Sequence, residues 1–107
     1  MTQLINLTPH ALNIINSSGD VIDISASGII AHCSQESIDV DIVNGIRIAR
    51  QVFGEVVDLP AEKENTMYIV SRLVASACPE RRDLVIPGPL VKDEDGKVIG
   101  CNGLSIL

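Results

Sequence analysis

Residues 39–50 read Asp-Val-Asp-Ile-Val-Asn-Gly-Ile-Arg-Ile-Ala-Arg, with alternating aliphatic and charged side chains on both sides of an Asn-Gly pair. Alternation with a period of two is typical of β-strands. The pair Asn-Gly readily adopts the backbone conformation of a tight turn between two strands. This stretch therefore predicts a β-hairpin.

The strand register of this hairpin depends on the length of its turn. A two-residue turn would pair Asp41 with Ile48, which puts charged and apolar side chains on one face. A three-residue loop over residues 43–45 would instead pair Ile42 with Ile46 and gather the aliphatic side chains on one face. We therefore predict the three-residue loop.

Short runs rich in Ile and Val alternate with Gly, Asn, Asp and Pro along the rest of the chain, which indicates further short strands. We predict them over residues 4–7, 11–15, 21–24, 67–70, 84–86, 90–92 and 98–101. Ser71 is a suitable N-cap for one helix over 72–78, and Pro79 would end it. The expected fold is α+β and predominantly β. It is a small antiparallel or mixed sheet, or a partly closed barrel, with one short helix near residues 71–78.

Length and charge limit the classes of function. A chain of 107 residues is expected to form a single globular domain, residues 1–107. Its formal charge of −6 argues against duplex DNA or long RNA, because those partners are held chiefly by basic side chains. All eight Lys and Arg residues lie at or after Arg47, so a local cationic pocket for a small anion is compatible with this composition.

The expected location is the cytoplasm. The first residues show no basic region followed by a long apolar run, so we predict neither a signal peptide nor a membrane anchor. The three cysteines, Cys33, Cys78 and Cys101, are odd in number and lack the spacing of a disulfide framework. Their spacing from each other and from the histidines is also unlike that of a zinc site, so no metal and no cofactor is expected.

Common catalytic and binding motifs do not fit the sequence. If Gly96 were the central glycine of a calcium loop, Val91 would stand at the first ligand position and Asn102 at the last. A phosphate-binding loop fails at Val91 and Val98. Gly-x-Ser-x-Gly does not occur. The acidic run before Gly96 is therefore interpreted as a solvated turn.

His10 is the first candidate for acid-base chemistry. It follows Thr8-Pro9 at a junction between two predicted strands, where a side chain can be positioned without belonging to the core. A histidine at such a junction either stabilises the turn or serves a ligand. Turn stabilisation is the simpler interpretation.

Arginines are the candidates for anion binding. Arg81 and Arg82 are adjacent in the segment between the helix and the next strand, and guanidinium groups bind phosphate or carboxylate through forked hydrogen bonds. Pairing with Asp83 or another nearby carboxylate explains them equally well. Arg50 and Arg72 would join such a site only if the fold brings them there.

The aromatic content is low. Only Phe53 and Tyr68 are aromatic, so the broad stacking platform of single-strand-binding proteins is missing. One nucleobase could still stack on one of these rings.

Several segments together resemble a family of small uncharacterised proteins of bacteriophages, prophages and bacteria. They are residues 6–11 (Asn-Leu-Thr-Pro-His-Ala), 53–56 (Phe-Gly-Glu-Val), 68–71 (Tyr-Ile-Val-Ser), 82–83 (Arg-Asp), and an ending from Pro87-Gly88 to Gly100-Cys101. The resemblance spans nearly the whole chain and implies a phage-associated setting, but no specific activity. It directs attention to Thr8, His10, Ser71, Arg72, Arg82 and Asp83.

Three functional hypotheses follow. In the first, the protein captures a small anionic ligand, for example a nucleotide-derived signal of host defence, through its arginines and one aromatic ring. In the second, it is a protein-interaction module that inhibits a host protein, and in the third it is a small hydrolase or lyase that uses His10 with an acidic partner such as Asp83. Because small β-rich domains often cover their exposed strand edges by pairing subunits, a homo-oligomer is expected.

Overall fold

Ten strands and one helix follow one another along residues 2–107, the part of the chain that the computed structural model describes. The strands are β1 (Gln3–Asn6), β2 (Leu12–Ile15), β3 (Val21–Ile24), β4 (His32–Val43), β5 (Ile46–Val57), β6 (Thr66–Ile69), β7 (Leu84–Pro87), β8 (Leu90–Lys92), β9 (Val98–Asn102) and β10 (Leu104–Ser105). The helix α1 spans Arg72–Ala77 and lies between β6 and β7. The predicted class, mostly β with one short helix, is confirmed.

The strands form three sheets. A central sheet has the order β1-β6-β7-β10, and its first three strands are parallel. An outer sheet has the order β3-β2-β9-β8, in which only β2 and β9 are parallel. Among the strands of the described residues, β4 and β5 pair only with each other. Both larger sheets are therefore mixed, as predicted, and the described strands do not close into a barrel.

The two faces of the central sheet carry two separate parts of the core, because side chains alternate along a strand. On one face, Tyr68 and Leu84 pack with Val74 of α1 in a cluster that also includes Leu7, Ala31, Cys33, Val70, Ala75 and Ile86. On the other face, Ile69 and Val85 pack against Ile14 and Cys101 of the outer sheet. Helix, central sheet and outer sheet therefore form three layers.

The helix begins where the sequence predicts. The Ser71 side chain accepts a hydrogen bond from the backbone N–H of Val74, with an N···O distance of 3.3 Å. At the other end, Cys78 leaves the helical conformation, and Pro79 follows it. The hydroxyl of Ser71 satisfies one of the backbone donors that a helix N-terminus leaves free.

The predicted register of the hairpin is wrong. The turn has two residues, because Val43 pairs with Ile46, and both Asn44 (φ 54°) and Gly45 (φ 76°) are left-handed. This is the pattern of a type I′ turn, whose twist matches that of the strands it joins. Our prediction assumed that one face of the hairpin is buried, whereas both faces lie in solvent here, so the turn sets the register.

Further from the turn, a β-bulge shifts the pairing of β4 with β5 by one residue. Asp41 pairs with Ile48, but Asp39 pairs with Ala49, so Val40 is an extra residue on β4. Because Val40 is an extra residue, the side chains of β4 that precede the bulge lie on the opposite face from the one they would occupy on a regular strand. As a result, Asp39 lies on the same face as Arg47 and is its ion-pair partner.

Candidate interaction surface

The arm, which we define as residues 32–57 of β4, β5 and their turn, projects from the rest of the fold. At its root, Cys33 is buried and Val56 is half-buried in the core cluster beneath α1. Beyond the root, residues 34–55 are all exposed except half-buried Ala49. The Cα radius of gyration is 17.0 Å, against about 13 Å for a compact domain of this length.

One side of the arm, which we call the apolar face, carries aliphatic side chains. In a paired ribbon, cross-strand partners share a face and residues two apart on one strand share it as well. By this rule the apolar face contains Val43, Ile46, Ile48, Ile38 and Val52. Their exposed fractions are 44%, 66%, 42%, 49% and 39% respectively. No layer of the described structure covers them.

The opposite side, which we call the polar face, is held by side-chain hydrogen bonds. The Arg47 guanidinium pairs with the Asp39 carboxylate and also donates to the Ser37 hydroxyl at 3.0 Å. The Gln51 amide donates to the same hydroxyl at 3.4 Å. Ile42 and Phe53 lie on this side too and are exposed. The arm is thus amphipathic, and among the described residues its hydrogen bonds between side chains lie on this side.

The apolar face also carries three charged side chains, each directly opposite an aliphatic one. Asp41 lies opposite Ile48, Arg50 lies opposite Ile38, and Glu36 lies opposite Val52. Within residues 2–107, none of these three charged groups belongs to an ion pair. Arg50 thus continues the aliphatic row of β5, and its side chain is exposed.

Among the predicted ligand-binding residues, Arg81 and Asp83 are joined to each other. Two guanidinium nitrogens of Arg81 each lie 2.8 Å from one Asp83 carboxylate oxygen, and Arg81 also donates to the Pro60 carbonyl at 2.9 Å. Glu62 approaches Arg81 at 3.5 Å. The side chains of Arg81 and Asp83 are only 14% and 12% exposed. This arrangement fits internal pairing, the alternative that the sequence left open.

The pKa values of this pair reflect the same contacts. The hydrogen bonds from Arg81 hold the pKa of Asp83 below its ordinary value, although burial opposes this effect. The hydrogen bond to Asp83 raises the pKa of Arg81. Asp83 is consequently a carboxylate already engaged by a cation, and not a free partner for His10.

Tyr68 belongs to the core. Its ring is 2% exposed, and its hydroxyl donates to the Ala61 carbonyl at 3.2 Å. Such burial leaves no exposed ring face for a nucleobase. The other aromatic residue, Phe53, is 48% exposed on the arm.

The Asn-Leu-Thr-Pro-His segment is organised by Asn6, which the sequence analysis did not single out. The side chain of Asn6 accepts from the N–H (2.9 Å) and the hydroxyl (2.6 Å) of Thr8. It donates to the carbonyls of His10 (2.8 Å) and Ile24 (3.2 Å). The turn thus uses the His10 carbonyl, while within residues 2–107 the exposed imidazole forms no hydrogen bond.

The remaining predicted residues border α1. Ser71 serves as its N-cap. Arg72 and Arg82 are exposed, and within the described chain neither forms a salt bridge or a side-chain hydrogen bond. A cavity of about 380 Å³ lies nearby, lined by Ala75, Ser76, Cys78, Pro79, Arg81, Leu84, Ile106 and Leu107. Its lining includes only the paired arginine and neither of these two exposed ones.

Other kinds of site find little support. Among residues 2–107, no group of three or more His, Cys, Asp or Glu side chains is arranged to hold a metal ion. Burial, together with the nearby Glu80, raises the pKa of the Cys78 thiol, which is the opposite of what activates a nucleophilic cysteine. No helix in this part of the chain has the length and apolar character needed to cross a bilayer.

The chain matches no protein-family model, no curated protein and no solved structure. Its own geometry therefore carries the functional argument.

Proposed function

We propose that this protein is a protein-interaction module whose contact surface is the apolar face of the arm. The observation that carries the proposal is the set of five branched aliphatic side chains on one side of a two-stranded ribbon, which no other layer of the described structure covers. Contiguous exposed apolar surface of this kind marks interaction sites in soluble proteins. The proposal shares protein interaction with the second hypothesis derived from the sequence, which named a host protein as the partner.

The stability of the arm supports this function. An isolated two-stranded ribbon is at best marginally stable in water, and the core of this fold supports only the root of the arm. Complete burial of a Val or Ile side chain contributes about 1.5–3 kcal/mol. Since the five side chains are roughly half exposed, covering them contributes about 1 kcal/mol each. A partner would therefore stabilise the arm as well as bind it.

Photo-crosslinking compares the two sides of the arm directly. p-Benzoylphenylalanine is introduced in place of Ile48 on the apolar face, or in place of Gln51 on the polar face, and cells that express either variant are irradiated. We expect protein adducts from position 48 that are several times more abundant than those from position 51. The two positions are three residues apart on β5, so both probes sit on the same exposed strand. Equal or absent adducts would contradict the proposal.

Capture of a small anion is the second candidate, favoured by Arg72, the first residue of α1, and by Arg82, which are both exposed and form no salt bridge with any residue that the structure describes. In this case the protein is a phage-type accessory protein that sequesters an anionic signal, for example a nucleotide. Calorimetry against a panel of nucleotides would show heat that Arg82→Ala abolishes. Absence of heat across the panel removes this candidate and leaves the interaction module.

A further inference from the structure

The charges on the apolar face form a pattern along the arm. Four pairs of cross-strand partners, which we call levels, follow one another along this face from the turn towards the root. They are Val43 with Ile46, Asp41 with Ile48, Ile38 with Arg50, and Glu36 with Val52. The first level is wholly aliphatic. Each of the next three pairs one aliphatic side chain with one charged side chain, and the middle two levels carry opposite charges.

The charges along this face complement the charges of an identical face that runs in the opposite direction. If two arms pack face to face in opposite directions, with a two-fold axis between the second and third levels, Asp41 of each copy reaches the level of Arg50 in the other. The Glu36 level then meets the wholly aliphatic first level. Two-fold symmetry requires a surface that fits itself in this way. Opposite charges meet, and no level brings like charges together.

The parallel arrangement lacks this property. With both turns at the same end, each level meets itself, so Asp41 would approach Asp41, Arg50 would approach Arg50, and Glu36 would approach Glu36. Like charges at close range oppose association. The charge pattern therefore distinguishes one direction of packing from the other.

Resting on the proposed function, we infer that the partner of the arm is a second copy of this chain, packed antiparallel with apolar face against apolar face. The four levels extend over about 20 Å of strand, so the buried area falls below that of a standard stable interface, about 800 Å² per partner. The dimer is accordingly reversible and depends on concentration.

Sedimentation equilibrium of the purified full-length protein over a range of about 1–500 μM tests the inference, at low salt so that charges are weakly screened. The expected result is a shift from 11.4 kDa towards twice that mass. Asp41→Arg and Arg50→Asp should each weaken the dimer roughly tenfold, since each replaces two attractive contacts per dimer by two repulsive ones. Gln51→Arg, on the polar face of the same strand, is the matched control and should leave the dissociation constant unchanged.

Mixing the two single variants tests whether these charges meet across the interface, and comparison with the wild-type dimer tests the direction of packing. Antiparallel packing gives a heterodimer about as tight as the wild-type dimer, whereas parallel packing, in which the wild type brings like charges together, would give a much tighter one. One variant carries two cations at these positions and the other carries two anions, so the mixture should form a heterodimer tighter than either homodimer. The double variant Asp41→Arg/Arg50→Asp should recover wild-type affinity. All three substituted sites, Asp41, Arg50 and Gln51, are exposed, and circular dichroism verifies that each variant is folded.

Three results would overturn the inference: a monomer at every concentration, equal weakening by Asp41→Arg and Gln51→Arg, or no heterodimer in the mixture. A monomer whose position 48 still crosslinks to a different protein would leave the proposed function in place while removing the second copy as partner. Failure of both experiments would remove both proposals.

Discussion

At the scale of single residues, Asn6 is the side chain on which the turn from β1 to β2 depends. It is 1% exposed, and its amide forms four hydrogen bonds, to Thr8, His10 and Ile24. Replacing it removes the hydrogen-bond partner of the Thr8 N–H and a donor to the Ile24 and His10 carbonyls, and a buried polar group that loses its partner costs more than the hydrogen bond itself contributes. The Asn-Leu-Thr-Pro-His segment, which begins at Asn6, therefore has a structural role, and the hydrogen bonds of Asn6 explain it.

We expect Asn6→Ala to lower the free energy of unfolding by about 2–4 kcal/mol, measured by urea denaturation. The matched control is Asn16→Ala, which removes an amide that accepts from the backbone N–H groups of Ser18 and Asp20 in an exposed turn. Water can replace those contacts, so the control should cost less than about 1 kcal/mol. Equal costs at the two positions would show that burial does not make Asn6 special.

The pair Arg81–Asp83 makes stability depend on pH. The pKa of Asp83 is lowered in the folded protein, first by the hydrogen bonds from Arg81, so the folded state binds its proton less readily than the unfolded state, where the value is 3.8. The stabilisation is complete above that value and is lost as pH falls through the lowered folded pKa. It should not change between pH 6 and pH 8.

We therefore expect the urea midpoint to fall as the pH is lowered from about 5 to 2, with a smaller fall in Asp83→Asn than in the wild type. At pH 7, Asp83→Asn should cost about 1.5–3 kcal/mol, because it weakens hydrogen bonds to a charged group that is barely exposed. Asp23→Asn removes an exposed carboxylate on β3 and should leave both properties unchanged. If the urea midpoint of Asp83→Asn depended on pH in the same way as that of the wild type, Asp83 would not be the group responsible.

At the scale of elements, α1 depends on its N-cap because it has only six residues. Ser71→Ala removes the side-chain acceptor for the Val74 N–H and should cost about 1 kcal/mol in urea denaturation. Ser76→Ala, on the exposed side of the same helix, is the control, and it should be neutral or slightly stabilising because alanine favours helix. The reverse order of effects would contradict the role given to Ser71.

The arm shows how an element can follow local rules without a core to guide it. Its turn residues, Asn44 and Gly45, fix a type I′ turn, and the bulge at Val40 then sets which residues pair further on. A preference for one apolar face acts on register only where that face is buried. The arm has no such burial along most of its length, which is why the pattern-based register failed while the turn position was correct.

At the scale of the whole molecule, the projection of the arm should be visible in solution. The principal extents are 53, 41 and 23 Å, far from those of a sphere. Small-angle X-ray scattering on the dilute Asp41→Arg variant, where the monomer prevails, should give a radius of gyration near 17.0 Å and clearly above the ~13 Å of a compact domain. A value near the compact one would mean that the arm folds back onto the sheets.

The sequence predicted what depends on neighbours along the chain. The strands around Ile14, Ile69 and Val85, the cap at Ser71 and the Asn44-Gly45 turn all follow from side-chain periodicity, capping chemistry and turn chemistry, which act over a few residues. The sequence also indicates the length of the arm, because residues 32–57 contain no proline. Our prediction did not use this indication. Proline is the residue that most often interrupts a strand pair.

The tertiary structure alone decided the surroundings of the candidate site residues. Asp83 is a neighbour of Arg81 in the sequence, but whether Arg81 also meets the Pro60 carbonyl and Glu62, and so is closed off from a ligand, depends on where the distant loop of residues 60–62 passes. The burial of Tyr68 depends on the packing of α1 over the central sheet. Local pattern determines the conformation of a segment, but the contacts of a side chain are determined by segments far away in the sequence, and these meet only when the sheets assemble.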